Sequence, residues 1–281
     1  MPMIIRSGEP AIHYTVDDFT DPWTEAPILI LQHGNGRNGK FWYRWITHLS
    51  RHYKVVRPDM RGLGQSGRDF DLQRELTLDA LLGDLRALIG DLGGGPVHFC
   101  GESMGGILGC VLTALHPELI RTLTIVATPV FINEDMKKRY SVGHGSRTDA
   151  MKAMGTRAWV EATTRVTRLP ADQEPDLFRW YVDEYCTGDP QVQVQMSALV
   201  NSASMKDFLP RIKKPVLGLY PTAGQITSSE QEAMLKESLP QIEMVHLPTS
   251  FHMIHLLHAR ECAERTLAHC ARHDGIAVTA P

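Results

Sequence analysis

Little in this chain ties it to a membrane, a nucleic acid or a metal. Across 281 residues no apolar run approaches the roughly 18 to 20 needed to cross a bilayer. Residues 1–6 lack the apolar core of a signal peptide, so a cytoplasmic protein is expected. The formal net charge is −3 and lysine and arginine form no block. Neither nucleic acid nor an anionic membrane is therefore an expected partner, and a small-molecule substrate is. The five cysteines, Cys100, Cys110, Cys186, Cys262 and Cys270, are odd in number and show no metal-type spacing. They read as reduced, mostly buried thiols. Among thirteen histidines, His255 and His258 lie three apart near His252, but a helix surface accounts for that spacing. No metal and no organic cofactor is expected. Internal repeats and low-complexity segments are also missing, and a homo-oligomer is left open.

What is present suits one large α/β domain, or a core with one insertion: 43% hydrophobic and 22% charged residues over this length bury a substantial core. Residues 3–16 read as two edge strands and residues 26–32 as the first strongly buried strand. A helix over 41–49 and a strand over 53–58 follow. Thr77 can cap a helix with Leu78, Leu81, Leu82, Leu85, Leu88 and Ile89 on one stripe, and Gly93 can end it. Strands at 96–100 and 123–127 flank a helix from 107 to 115. This alternation predicts a mostly parallel, doubly wound, eight-stranded sheet. From 131 to 208 the rhythm stops. Helical stretches near 147–166, 175–186 and 190–203, rich in Trp159, Phe178, Trp180, Tyr181 and Tyr185, predict a lid over the C-terminal edge of the sheet. Strands resume at 215–220 and 242–247, with helices at 228–238 and from the last strand to about Arg272. The expected division is a core of residues 1–130 and 209–281 with a helical cap at 131–208.

Gly101-Glu102-Ser103-Met104-Gly105-Gly106 places a serine between glycines where a buried strand passes directly into a helix. Such a junction forces strained backbone on the serine and tolerates nothing bulky two positions away on either side. The hydroxyl is then held at a helix N-terminus whose free N–H groups can stabilise an anion. Two other loops leave strand ends. His33-Gly34-Asn35-Gly36 exposes backbone N–H groups where an oxyanion could be met. Asp59-Met60-Arg61-Gly62-Leu63-Gly64-Gln65-Ser66-Gly67 carries charges assigned to pinning its own turn. His252 lies on a loop past the last strand, on the same sheet edge as Ser103.

The order of these parts resembles the α/β-hydrolase superfamily over essentially the whole chain. Within it the sequence is similar to the lidded esterase, lactonase and C–C bond hydrolase branch. The resemblance implies Ser103 as nucleophile and His252 as general base. It implies an oxyanion hole formed by the backbone N–H groups of Asn35 and Met104.

The family's orienting acid has no counterpart at either familiar position. Gly224 stands where an aspartate is expected, in Pro221-Thr222-Ala223-Gly224-Gln225, and Ala127-Thr128 ends the earlier strand without a carboxylate. The candidates are Glu134 or Asp135 at the start of the lid, or Thr128 as a polar stand-in. Glu230 and Glu232 read as solvent-facing, and Glu102, adjacent to the serine, is expected to point elsewhere. Three readings follow: a Ser-His enzyme with a relocated acid, a Ser-His dyad of reduced activity, or a ligand-binding or sensor protein. The expected activity is hydrolysis of a small, largely apolar carboxylic ester or lactone. C–C bond hydrolysis of the meta-cleavage type and cofactor-free oxygenation with a histidine base are the alternatives.

Overall fold

A computed structural model describes residues 2–278. Met1 and residues 279–281, assigned to the core from sequence, lie outside the described residues. The strands are β1 (Met3–Ile4), β2 (Ile12–Asp17), β3 (Ile28–Gln32), β4 (Lys54–Pro58), β5 (Val97–Glu102), β6 (Ile120–Val126), β7 (Val216–Pro221) and β8 (Ile242–Leu247). They form one sheet in the order β1-β2-β4-β3-β5-β6-β7-β8. From β4 to β8 all neighbours are parallel, and the β1–β2 and β2–β4 pairs are antiparallel.

Both faces of the sheet are covered, so its central strands are buried almost throughout rather than alternating between buried and exposed residues. Side chains still alternate between faces. Leu29, Leu31, Cys100, Leu217 and Leu219 pack with Trp42, Trp45 and the C-terminal helix, whereas Ile30, Val56, Phe99, Leu123 and Ile125 face the opposite layer. The expected helix over 41–49 is a 3₁₀ helix, Gly39–Trp45, closed by one α-turn, α1 (Ile46–Leu49). The tighter winding brings positions i and i+3 into line, and Trp42 meets Trp45 edge-on at 4.8 Å between ring centroids. Next come α2 (Leu78–Asp91) and α3 (Met104–Leu115). Thr77 caps α2 through its Oγ1, which accepts the Ala80 N–H at 3.2 Å.

Between β6 and β7 lie α4 (Glu134–Ser141), α5 (Arg147–Met154), α6 (Thr156–Thr167), α7 (Pro175–Tyr185) and α8 (Pro190–Ser202). Two details depart from the sequence reading. The first helix, α4, was not expected, and the stretch 147–166 is two helices broken at Gly155, whose φ of 80° belongs to the left-handed region that glycine tolerates. This insert rests on the loops at the strand ends. Phe41 meets Tyr181 edge-on at 5.3 Å, and the backbone N–H groups of His252 and Met253 donate to the carbonyls of Thr167 (2.8 Å) and Arg168 (3.2 Å). The chain closes with α9 (Ser229–Ser238), α10 (Ile254–Leu257) and α11 (Ala259–Asp274). Among the described residues no helix is long and apolar enough to cross a membrane.

The charged loop after β4 is a brace. Asp59 accepts the N–H groups of Gly39 (2.7 Å) and Gln65 (2.9 Å) and contacts His13 Nδ1 at 2.8 Å. Arg61 forks onto Asp84 with two contacts of 2.7 Å.

Candidate active site

The sheet order reverses at β3 and β5, which are neighbours whose following chain segments leave to opposite sides. A crevice opens at that point, and the loops bearing Asn35 and Ser103 border it. Ser103 is the single residue between β5 and α3, with φ 53° and ψ −117°. A non-glycine residue in that region is strained and must be held by its surroundings. Its N–H donates to the Val126 carbonyl at 3.0 Å, and its carbonyl accepts the N–H groups of Gly106 and Ile107 at 3.0 and 3.1 Å. A Cβ on Gly101 would run into the Gly105 carbonyl, and one on Gly105 into the carbonyls of Gln32 and His33. Both glycines are thus required by close backbone approach. The backbone N–H groups of Asn35 and Met104 have no acceptor among the described residues.

Ser103 and His252 line the same small cavity. The His252 ring faces a carboxylate: Glu102 Oε1 lies 3.2 Å from Nε2, within ion-pair distance but out of line for an N–H···O hydrogen bond. The other carboxylate oxygen is engaged by the Arg37 guanidinium, which also donates to the Tyr181 hydroxyl at 3.2 Å. Burial opposes the charge on Glu102, but Arg37 foremost, then His252 and His255, hold its carboxyl well below the usual range. Burial also lowers the pKa of His252, and Glu102 partly offsets this. The imidazole is therefore neutral at neutral pH. A proton on the nitrogen facing Glu102 leaves the other ring nitrogen free to accept one.

None of the three groups expected to orient His252 makes a hydrogen bond or ion pair with it. Glu134 is exposed and paired with Lys137, and Asp135 is exposed. Thr128 Oγ1 donates to the Val126 carbonyl at 3.2 Å, so its hydroxyl serves its own turn. The group that faces His252 is Glu102, which was expected to point away. Period-2 alternation puts it on the same face of β5 as Cys100, the face covered by Trp42 and α11, onto which the His252 loop descends. Room for it comes from Gly34, where a Cβ would collide with both Arg37 and Glu102. His255 is likewise not a surface residue. It is buried against Trp42 at 5.0 Å between ring centroids, and burial pushes its pKa down to about 3. Among the described residues no three His, Cys, Asp or Glu side chains cluster as a metal site.

The cavity measures about 30 Å³, space for one or two waters, so a substrate enters only if the surrounding side chains or the insert move. Its wall is less apolar than the aromatic and methionine content of the insert suggests. Pro129, Ile132, Val200 and Ile226 contribute apolar surface, but Arg37, Arg147 and Arg168 also line it.

A family profile described as alpha/beta hydrolase fold matches residues 27–177, more than half of the chain. The chain belongs to the alpha/beta hydrolase family. It is accordingly a hydrolase. It is 25% identical over 250 residues to "Putative carbamate hydrolase RutD" of Agrobacterium fabrum, covering 87% of this chain and 92% of that protein. It is 24% identical to strigolactone esterase RMS3 of Pisum sativum, covering 81% and 86% of the two chains. The enol-lactonase of Burkholderia xenovorans LB400 superposes with a TM-score of 0.81 at 23% identity, over 96% of this chain and 100% of the other.

Within this hydrolase, Arg37, Arg147 and Arg168 near Ser103 escaped the sequence reading, and Glu102 was expected to point elsewhere. Three of the four had a signal. Glu102 is a charge at the end of an otherwise uncharged buried strand, and Arg37 follows the glycine-bearing loop after β3. Arg147 stands in the first turn of α5, where a helix dipole disfavours a cation.

Proposed function

We propose that this protein hydrolyses a carboxylic ester or lactone through an acyl-enzyme on Ser103, with His252 as base and Glu102 as the carboxylate that orients it. In this reading the Ser103 hydroxyl attacks the substrate carbonyl while His252 takes its proton. The tetrahedral oxyanion forms within reach of the Asn35 and Met104 N–H groups, preorganised donors worth about 3 to 4 kcal/mol each in such sites. The C–O bond to the alcohol then breaks, and His252 returns the proton to the departing oxygen. Water, activated by the same histidine, releases the acid and restores the serine. Residues 131–208 act as the lid that closes over the intermediate.

The observation that carries the reading is a strained elbow serine lining one small cavity with a neutral histidine that a carboxylate faces. The strigolactone esterase and enol-lactonase named above support the choice of ester and lactone. Ser103→Ala is expected to lower turnover of 4-nitrophenyl butyrate by about 10⁵-fold or more, with an unchanged circular dichroism spectrum. A fluorophosphonate probe is expected to label Ser103 in the folded protein. Unchanged turnover in the alanine variant would rule out the acyl-enzyme.

A further inference from the structure

The cavity at Ser103 carries more positive than negative charge. Arg37, Arg147 and Arg168 are each 5% exposed or less. The carboxylate beside them, Glu102, is already engaged by Arg37 and His252. Among the described residues neither Arg147 nor Arg168 has a carboxylate within ion-pair distance. Among the same residues no nitrogen of Arg147 finds an acceptor, and its Nε is buried. Arg168 spends only Nη1, on the hydroxyls of Thr163 (2.6 Å) and Thr164 (3.3 Å).

Both guanidiniums are nonetheless fixed. Arg147 lies 4.8 Å from the Tyr140 ring centroid and 4.9 Å from that of Trp159, and Arg168 lies 5.0 and 5.4 Å from the same two rings. The platform is itself tied, since Trp159 Nε1–H donates to the Tyr140 carbonyl at 2.9 Å. Stacking of this kind positions a guanidinium by its face and leaves the N–H donors in its plane free. Two like charges held side by side, out of water and without a counter-ion, are unfavourable for folding alone. They suit an arrangement completed by an anion, because planar forks bind the oxygens of a carboxylate or phosphate two at a time. The backbone N–H of Met253 donates to the Arg168 carbonyl, so the His252 loop and this arginine are tied together.

We propose that Arg147 and Arg168 form a binding site for an acid group, carboxylate or phosphate, carried by the substrate whose ester or lactone carbonyl Ser103 attacks. The inference rests on the reading of Ser103 as nucleophile. Pro129, Ile132, Val200 and Ile226 cover the apolar segment between the two groups, and the acid group itself takes no part in bond making.

The test compares 4-nitrophenyl butyrate with the 4-nitrophenyl monoester of succinate, which share a leaving group and differ by one carboxylate. The wild-type protein is expected to prefer the succinate ester by about 100-fold in kcat/KM, a magnitude typical of a buried charge pair. That preference is expected to collapse in Arg147→Gln and Arg168→Gln, mainly through KM, and to survive in part in the lysine variants. Equal rates on the two esters in the wild type, or variants that slow both alike, would overturn the proposal. Calorimetric titration of Ser103→Ala with glutarate and with inorganic phosphate provides a reading independent of turnover. Glutarate binding that Arg147→Gln weakens supports the site even if neither ester is cleaved, in which case the acyl-enzyme reading alone fails. Phosphate binding that the same variant weakens assigns the site to phosphate esters. Binding of neither anion overturns the proposal.

Discussion

Arg61 and Arg147 are both buried to within 5% of full enclosure, and both lie over aromatic rings, Arg61 at 5.7 Å from Phe70 and Arg147 at 4.8 Å from Tyr140. Their polar surroundings differ completely. Arg61 spends its fork on Asp84, its remaining nitrogen on the Glu75 carbonyl at 3.1 Å, and reaches Glu9 at 2.8 Å. Arg147 meets no acceptor among the described residues. A guanidinium buried to hold a loop brings its counter-charges from the chain, because desolvation is otherwise uncompensated. One left open at the wall of a reactive cavity is explained by a charge arriving from outside. The Arg37–Glu102–His252 group stands between these two: its charges balance, yet it faces the serine.

The largest effect should come from unbalancing that middle group. Glu102→Gln is expected to lower kcat/KM on 4-nitrophenyl butyrate by about 10⁴-fold, the loss seen when a triad carboxylate becomes an amide. Steady-state kinetics at fixed pH check this, and a change under tenfold would separate Glu102 from catalysis. The pH profile sharpens the same point. Since the base must be neutral and burial lowers the pKa of His252, the acidic limb of kcat/KM in the wild type should have its midpoint below 6.5. Glu102 pulls that pKa upward, so its removal moves the limb to still lower pH. A limb that rises in the variant would contradict the electrostatics described here.

The braced and open arginines should then part company in stability. Arg61→Ala is expected to cost about 3 kcal/mol in urea unfolding, because Asp84 is left buried with only Arg6 beside it. The ratio of rates on the charged and neutral esters should not change. Arg147→Met is expected to leave stability unaltered or to raise it by about 1 kcal/mol, since a guanidinium without a counter-ion gives way to an apolar chain of similar length. A loss as large as that of Arg61→Ala would show that Arg147 braces the insert.

Much of this was readable from residue order. The elbow was legible because Gly101, Ser103 and Gly105 act on one another across two residues, and the cap of α2 because Thr77 and Ala80 are three apart. The break at Gly155 and the 3₁₀ winding before α1 were not, since helical periodicity is nearly the same on either side of a one-residue interruption. The position of Glu102 was not legible, because a sharp turn beside a residue does not say whether that residue still belongs to the strand. In the folded chain only Ser103 turns, and residue 102 keeps the strand's alternation.

Sequence by itself determined the alternation of strands and helices in the sheet-bearing core, the strained serine and the histidine past the last strand, because each depends on contacts within a few residues or on a repeating pattern of burial. Tertiary structure alone decided what faces His252 and what charge lines the cavity. Glu102, Arg37, Arg147, Arg168 and His252 come from five separate segments, and whether a buried charge is paired or open depends on which of those segments the fold brings within about 4 Å.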